Sequence, residues 1–550
     1  MRRLFKNARI FTSVGGDSTL HDALVIEDDK VVFVGSRAVA ESKGGPSAEV
    51  TDLQGRVVLP GLIDGHIHVV QFGASLSKID CLGLSFSQIT AAVKEVYLAN
   101  PSAKMIHGKS FLFDALGEPP HHALLDAVAP NVPVFIASMD LHSTLLNTAA
   151  LDAIGVTRDT PDPKGGEFVR DAAGELTGLC LETANVKHIW PWVAHHTSLD
   201  ERVAALDAAF ENMLSSGLTG GIEMALRPED LEAFEEYIRR HGRLPVRISA
   251  RWFMRPEGTE ETQAEQVREA ARLRDHCAQY APWFNIVGIK IVSDGVVDSC
   301  TAFLKEPYPS GQTPGPIWPA DELTKVVVLA DTLDLQIAVR ALGDAASEQA
   351  LDAFEAAMMA NGERAHRRHR IEHLEVVTPE SVARLTRLGV TASLQPVHAD
   401  PVYAKNWWDQ LGHDARCDRA FPWSEFVHAG AKVAFGTDAP VAPVHALPNI
   451  YTAGTRQSSV DPSLELSTDP RIRALEKLCV PLDKSIRYYT AGCAQSVRQD
   501  DVGTLEPGKQ ADFCVLDVDP FRDGIEALRQ AQAAVTETWV AGRCAWLAKK

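Results

Sequence analysis

Residues 57–68, with the sequence VVLPGLIDGHIH, form the stretch on which the fold prediction depends. Residues 57–63 are almost all apolar, as in a buried β-strand. Side chains alternate in direction along a strand, so His66 and His68 should point the same way. Two imidazoles that converge at a strand end are suited to bind a divalent metal ion. Because two structural histidines would leave the same pattern, the metal hypothesis requires further ligands at other strand ends.

The middle of the chain alternates short apolar segments with helical patterns. Apolar residues that recur every three to four positions predict helices at 201–216, 261–279, 321–332, 345–360 and 379–388. Seven more strands are predicted between these helical patterns, at 218–223, 246–250, 286–292, 336–339, 370–372, 391–394 and 432–435. Together with the strand that leads into His66, they give eight strands alternating with helices. This is the α/β pattern of a (β/α)8 barrel of the TIM type.

Both chain ends and one long connection depart from this alternation. Residues 1–60 and 480–550 contain short strand-like segments, and we expect them to form one small composite β-sandwich domain. Residues 61–479 would then hold the barrel. Residues 74–200 separate the first two barrel strands and are far too many for an ordinary connection. Because barrel active sites lie on the side where this connection begins, we expect it to be a substrate-shaping insertion.

Charge and composition argue against several classes of protein. The formal net charge of −19 disfavours nucleic acid and anionic membranes as partners. No apolar run approaches the roughly 20 residues of a membrane helix. The first residues lack the apolar core of a signal peptide. Nine cysteines without a C-x-x-C pair are typical of reduced thiols, and we predict a cytoplasmic protein.

Polar side chains at the predicted strand ends provide the further ligands that the metal hypothesis requires. His66 and His68 end the first strand, Lys290 lies in the fourth, His373 ends the sixth and Asp438 follows the eighth. Barrel enzymes hold their functional residues at these ends. Each residue alone has an ordinary structural explanation. Their occurrence together at ends one, four, six and eight favours a metal site.

Lys290 is unusual because it lies inside an apolar strand. A buried ammonium group is costly unless it is paired or modified. One solution is a buried ion pair, for example with Asp294. The other is carboxylation by CO₂, which converts the amine into an anionic carbamate that can bind a metal ion. The residues alone leave both solutions open.

With these residues the chain resembles the amidohydrolase superfamily, and more closely its amidohydrolase-3 group, which includes N-substituted formamide deformylases. The stretches that carry the resemblance run nearly from end to end, at residues 59–68, 290–301, 341–344, 370–373, 395–398, 436–440 and 503–512. The resemblance implies a metal-dependent hydrolase of carbon–nitrogen bonds other than peptide bonds. Its substrate would be a small amide or N-substituted formamide, attacked by metal-activated water.

The resemblance also implies roles for individual residues. The ion would be zinc or another divalent metal, and its ligands would be His66, His68, Lys290, His373 and Asp438. Asp438 would act as general base and then as general acid, and His373, Arg340 or the metal would stabilise the oxyanion. Residues that would line the substrate space, although a structural role is equally compatible with each, are His142, Glu182, Asp294, His398 and Trp407.

Arg340 departs from the pattern of the group, in which the fifth strand usually ends in a histidine before a Gly-Asp pair. A guanidinium group is permanently charged and cannot act as a metal ligand. We therefore expect one metal ion rather than two. Arg340 could instead bind a substrate carboxylate, or neutralise Asp438 or a carboxylated Lys290.

Two other interpretations stay open. The chain could be a binding or regulatory protein whose metal site has decayed, because a fold does not dictate function. It could also be a metal-assisted isomerase or a C–O hydrolase, since the ligand set excludes neither. The sequence does not identify the substrate or the metal, and it does not decide whether the chain forms a homodimer.

Overall fold

The computed structural model of the protein describes residues 1–113, 115–117, 119–139, 141–163, 166–364, 366–461 and 475–549. The chain divides into two compact units. The barrel unit consists of Met1–Val69, Phe210–Leu231 and Glu235–Lys550, and the second unit of Val70–Ala209 and Glu232–Phe234.

Eight parallel strands form one sheet in the barrel unit, and each pairs with the next in chain order. Their bounds are Leu62–Ile67, Leu218–Leu226, Arg247–Phe253, Phe284–Val292, Gln336–Ala341, Arg370–His373, Thr391–Leu394 and Lys432–Phe435. The first and eighth strands also meet. Asp438 N donates to His66 O at 2.7 Å, and His68 N donates to Ala439 O at 2.9 Å. The ends of the sheet therefore come together, which confirms the TIM-type barrel predicted from the sequence.

Helices alternate with the barrel strands. The series begins with the helix before the second strand and continues past the eighth. The described helices of this series include Leu199–Ser215, Pro228–His241, Glu260–Cys277, Ala320–Thr332, Asp344–Asn361, Pro379–Arg387, Pro401–Gln410, Trp423–His428, Ala446–Thr455, Leu482–Tyr488 and Ala491–Ser496. In the third of these, Thr259 accepts a hydrogen bond from Thr262 N at the N-terminus, and the buried Val267 and Ala270 face inward. Among the residues that the structure describes, no helix combines the length and apolarity needed to cross a membrane.

The apolar run at 57–63 forms two strands and not the single strand predicted. Val57–Pro60 pairs with strands from both chain ends, whereas Leu62–Ile67 opens the barrel. The break falls at Gly61, where a Cβ atom would lie 2.1 Å from Thr219 Oγ1 of the second barrel strand. Only glycine permits this close approach, so the chain can leave one sheet and enter the next within a single residue.

Strands from both chain ends share a second eight-stranded sheet in the barrel unit. They are Arg2–Phe11, Leu20–Glu27, Lys30–Gly35, Glu49–Asp52, Val57–Pro60, Phe513–Leu516, Val535–Val540 and Arg543–Leu547. The aromatic rings of Phe5, Phe513 and Trp539 pack with centroids 5.1–5.4 Å apart in its core. Both ends thus contribute to one sheet, whereas the sandwich arrangement and the domain boundaries at 60 and 480 stay predictions.

The second unit has its own six-stranded sheet. Its strands are Ile79–Asp80, Ile106–Phe111, Val134–Ser138, Ser143–Leu146, Gly166–Arg170 and Leu176–Glu182. Its helices include Phe86–Ala99, His122–Asp126, Thr148–Ala153 and Trp190–His196. Apart from Glu232–Phe234, the unit lies between the first and second barrel strands in sequence, where the insertion at 74–200 was expected. Its role in shaping the substrate site stays a prediction.

Gly436→Ala should destabilise the closure of the barrel. A Cβ atom at Gly436 would lie 2.3 Å from His66 N, so the eighth strand would have to move away from the first. Overpacking of this kind costs about 1–3 kcal/mol, and we expect a lower urea midpoint of unfolding. Gly315→Ala is the control, because a Cβ atom there meets no atom within 4 Å. Equal midpoints for the two variants would contradict this account.

Candidate metal centre

Three of the predicted ligands meet where the first and eighth strands end. Each of His66, His68 and Asp438 places one ligand atom within 4.8 Å of the other two. Asp438 Oδ1 lies 3.1 Å from His68 Nε2 and 3.4 Å from His66 Nε2. Atoms that bind one zinc-like ion tetrahedrally at about 2.0–2.2 Å lie about 3.3 Å apart. The separations therefore fit a shared divalent ion.

Asp64 holds the backbone around these three ligands. Its Oδ1 accepts hydrogen bonds from His66 N and Thr437 N, both at 3.0 Å, and its Oδ2 accepts one from Thr437 Oγ1 at 2.5 Å. One buried carboxylate thus joins the first strand to the loop after the eighth. Burial raises the pKa of Asp64 to about 7, against the lowering effect of these hydrogen bonds. Asp438 follows with a left-handed φ of 60°.

A glutamate faces the other ring nitrogen of each histidine on the first strand. Glu372 Oε2 lies 2.7 Å from His66 Nδ1, and Glu223 Oε1 lies 3.8 Å from His68 Nδ1. The hydrogen bond of Glu372 to His66 Nδ1 fixes the orientation of that ring and favours a proton there, which leaves Nε2 available to a metal ion. The separation of Glu223 from His68 is longer than a hydrogen bond. Sequence reasoning missed both glutamates. The signal that could have found them is an acidic residue inside a strand predicted to be buried.

Arg370 balances the charge of Glu372 in the barrel interior. Its Nε donates to Glu372 Oε1 at 2.5 Å, while other guanidinium nitrogens donate to Ser496 Oγ at 3.0 Å and Gly65 O at 2.6 Å. Burial alone would raise the pKa of Glu372. The charge of Arg370, with the hydrogen bond to His66, holds that pKa well below its ordinary value. Glu372 is therefore an anion that can orient His66.

Lys290 lies buried in the fourth barrel strand, near the cluster. Burial lowers the pKa of its ammonium group to about 8, although the charges of Glu372 and Asp438 oppose the shift. Within the described part of the chain, no carboxylate oxygen lies within 4.0 Å of Lys290 Nζ. The ion-pair alternative for Lys290 is therefore not realised with Asp294.

Asp294 instead makes hydrogen bonds to two loops at the mouth of the barrel. Its oxygens accept hydrogen bonds at 2.9–3.1 Å from the backbone N–H groups of Phe303, Leu342 and Gly343. Burial raises the pKa of Asp294 to about 6 in spite of these bonds. The side chain thus has a structural role, and its contact with a substrate stays a prediction.

His373 and His398 lie beside the first cluster. Their rings are parallel to within 17° with centroids 5.6 Å apart, and the His373 centroid lies 5.0 Å from that of His66. His398 Nε2 lies 3.7 Å from Asp438 Oδ2. His373 Nδ1 and His398 Nε2 are both buried, and neither has a hydrogen-bond partner in the part of the chain that the structure describes. The structure thus brings two further imidazoles to the site, one predicted as a ligand and one as a substrate contact.

A glutamate and a tryptophan orient His398. Glu375 Oε1 lies 3.2 Å from His398 Nδ1, and Glu375 Oε2 accepts a hydrogen bond from Trp407 Nε1 at 3.0 Å. Burial opposes the protonation of His398, but the carboxylates of Glu375 and Asp438 raise its pKa. Trp407 itself is buried. It acts here through its N–H group, and its predicted place in a substrate wall stays a prediction.

Arg340 ends the fifth strand as the sequence suggested. Its Nη2 donates to Gly295 O at 3.2 Å, and its buried Nε has no partner among the residues that the structure describes. Where the structure describes the chain, no carboxylate oxygen pairs with the guanidinium group within 4.0 Å. Together with burial, the charge of Arg340 lowers the pKa of both Lys290 and His373, so it acts on the site electrostatically.

His142 and Glu182 contact each other within the second unit. His142 Nδ1 lies 2.7 Å from Glu182 Oε2, and Glu182 N donates to His142 O at 2.7 Å. Glu182 has a left-handed φ of 52°. A side chain held on such backbone is often functional. The predicted contact of the pair with a substrate stays a prediction.

Residues 49–545 match the family model described as "Amidohydrolase family". The chain belongs to the amidohydrolase family. A Bacillus subtilis (strain 168) protein that carries the name amidohydrolase YtcJ is 30% identical over 539 residues, which cover 95% of each chain. The N-substituted formamide deformylase of Arthrobacter pascens is 26% identical over 554 residues, covering 98% of this amidohydrolase and 96% of the relative.

Solved structures confirm the fold of this amidohydrolase. An uncharacterized metal-dependent hydrolase from Pyrococcus horikoshii OT3 matches with a TM-score of 0.76 at 24% identity, covering 96% of this chain and 99% of that chain. The match to the family model and the two relatives confirm the resemblance to the amidohydrolases. Family membership and the candidate ligands together support a metal-dependent hydrolase of this superfamily.

Glu372→Gln should weaken metal binding in this amidohydrolase. Glutamine cannot offer a negative charge to His66 and Arg370, and the loss of such a partner typically costs about 10–100-fold in metal affinity. Competition with a chelator measures that affinity, and urea unfolding measures the stability lost when Arg370 is left unpaired. Glu355→Gln, at a surface acid paired with Arg384, is the matched control. Unchanged affinity in a folded Glu372→Gln variant would be incompatible with an orienting role.

Proposed function

We propose that this chain hydrolyses the carbon–nitrogen bond of a small amide or N-substituted formamide. The observation that carries the proposal is the convergence of His66, His68 and Asp438 at the closed seam of the barrel. The similarity to an N-substituted formamide deformylase over nearly the whole chain supports this bond type. The reaction adds water across the bond, so that oxygen joins the carbonyl carbon and a proton joins the departing nitrogen.

One zinc-like ion is proposed, held by His66, His68 and Asp438. Bound there, such an ion is a Lewis acid that lowers the pKa of water towards neutrality. Arg340 supports the choice of one ion, because it puts a positive charge where the amidohydrolase-3 group usually has a neutral ligand. Lys290, once carboxylated, would provide a further anionic ligand.

Asp438 is proposed as the group that moves the proton. Its two oxygens have different neighbours: Oδ1 faces His66 and His68, whereas Oδ2 lies 3.7 Å from His398 Nε2. Oδ1 can therefore act as a metal ligand, while Oδ2 accepts a proton from water and returns it to the leaving nitrogen. Glu375 supports this step, because it keeps His398 oriented beside Oδ2.

His373 is proposed to stabilise the oxyanion. Burial, with the nearby charge of Arg340, holds its pKa well below the ordinary value, so the imidazole is neutral and carries one N–H donor. Among the described residues, its Nδ1 has no hydrogen-bond partner. An unsatisfied buried donor or acceptor is costly, and a substrate oxygen could satisfy it.

His66→Ala and Asp438→Ala should each reduce turnover to background while circular dichroism shows an intact fold. Each variant removes one of the three proposed ligands, and thorough chelation should have the same effect on the wild type. Turnover is screened with N-formyl, N-acyl and aryl amides, and metal content is measured in parallel. His276→Ala is the control, because this exposed histidine has its own glutamate partner at 2.7 Å.

Metal content and turnover together separate the open interpretations. We expect about one tightly bound ion per chain and activity on at least one amide. Full activity of metal-free protein would refute the proposal. A chain with no tightly bound ion and no turnover would favour a binding protein, and turnover of esters but not amides would favour a C–O hydrolase.

Carboxylation of Lys290 is a separate prediction. Protein supplied with ¹³C-labelled bicarbonate should give the NMR signal of a carbamate carbon, because a buried lysine with a pKa of about 8 has a substantial neutral fraction that can react with CO₂. Lys290→Arg should lose the signal and Lys305→Arg, at a surface ion pair, should keep it. Electron density that ends in a plain ammonium group in the presence of CO₂ would refute the carbamate.

A further inference from the structure

Arg340 lies in the barrel interior, one layer nearer the mouth than Lys290. Lys290 pairs in register with Ala338, and Val292 pairs with Arg340. Because Ala338 and Arg340 are two residues apart on one strand, their side chains point to the same face as Lys290. Two residues of strand advance the backbone by about 6.6 Å towards the C-terminal end. Arg340 is correspondingly partly exposed, whereas Lys290 is buried.

The carboxylates around Arg340 already contact other groups of the protein. Asp294 accepts three backbone N–H groups, and Glu372 is held between Arg370 and His66. Asp438 Oδ1 faces the two histidines of the first strand. Arg340 therefore keeps a charge that no carboxylate in the described residues balances at contact distance.

The hydrogen-bond donors of Arg340 are also largely unused. A guanidinium group has five N–H donors. Nη2 donates to the backbone carbonyl of Gly295, and the buried Nε has no partner within the described ranges. A planar fork of free N–H donors fits a carboxylate through two parallel hydrogen bonds. A partly exposed guanidinium that pairs with no carboxylate of the described residues is thus chemically suited to bind an anion.

We propose that Arg340 binds a carboxylate of the substrate, so that this amidohydrolase acts on anionic N-formyl or N-acyl compounds such as N-acylated amino acids. The inference rests on the proposed function and narrows its substrate class. Arg340 anchors the acid end, which places the amide over His66, His68 and Asp438. The carboxylate itself undergoes no bond change.

Matched pairs of probes test the proposal. Each pair is an N-formyl amino acid and its carboxamide, which have the same size and differ in charge, for glycine, alanine, leucine and phenylalanine. Binding to the metal-loaded protein is measured by calorimetry, or as KM where the probe is hydrolysed. In at least one pair we expect the acid to bind at least about tenfold more tightly, the usual scale for a hydrogen bond to a charged group.

Variants of Arg340 show whether this residue causes the tighter binding of the acid. Arg340→Met should abolish the preference for the acid, and Arg340→Lys should restore part of it, because the charge returns without the fork. Arg274→Met is the matched control, since Arg274 is also partly buried and donates to a backbone carbonyl, Leu333 O at 2.6 Å. It should keep the full preference. Urea midpoints show whether Arg340→Met is folded. If that variant is unfolded, the partial preference of Arg340→Lys for the acid tests the role of Arg340 instead.

The outcomes are distinguishable from a failure of the proposed function. If no probe is hydrolysed but an acid binds more tightly through Arg340, the anion site stands and the hydrolysis proposal falls. If no acid in the series binds more tightly than its amide, or if Arg340→Met keeps the preference, the anion site is wrong. A preference that disappears when bicarbonate is added would assign Arg340 to a carbamate on Lys290 and would also overturn the proposal.

Discussion

The seam between the first and eighth barrel strands is the constraint on which the site depends. Two backbone hydrogen bonds join the segments that carry His66, His68 and Asp438, and the Asp64 carboxylate fastens the same two segments from within. Residues far apart in the chain become neighbours at hydrogen-bond distance. A ligand set that spans both segments exists because this seam closes.

A buried ion pair in the barrel interior orients one of the candidate metal ligands. The ion pair of Arg370 and Glu372 lies fully buried, where an isolated charge would be very costly. Its cost is offset by further hydrogen bonds, and Glu372 orients His66. Glu375 with Trp407 repeats the arrangement at His398. Two imidazoles are thus held by carboxylates at Nδ1, with Nε2 directed at the reaction centre.

Arg340 stands where the resemblance to the amidohydrolase-3 group implies a histidine. The ligands on the first and eighth strands give a site for a metal ion, which the family relationship supports. At the fifth strand the chain has a cation that cannot bind metal. The proposed recognition of anions depends on this cation at the fifth strand, whereas the proposed metal ligands lie at the first strand and after the eighth.

The sequence by itself determined the features that depend on local periodicity. Eight strands, the intervening helices and the paired direction of His66 and His68 follow from spacing along one segment, and the structure has them close to the predicted positions. Spacing also located Lys290, His373, Arg340 and Asp438 at strand ends. The residues that these side chains contact could not be predicted from spacing along the sequence.

Tertiary structure alone decided the break at Gly61, the backbone contacts of Asp294 and the glutamates at the histidines. Each depends on an atom that is distant in sequence, such as Thr219 Oγ1 against Gly61 or Glu372 against His66. The period of a strand indicates which face a side chain occupies, but not which residue of another strand meets it. That second fact is set by register and closure, which arise only when the barrel is complete.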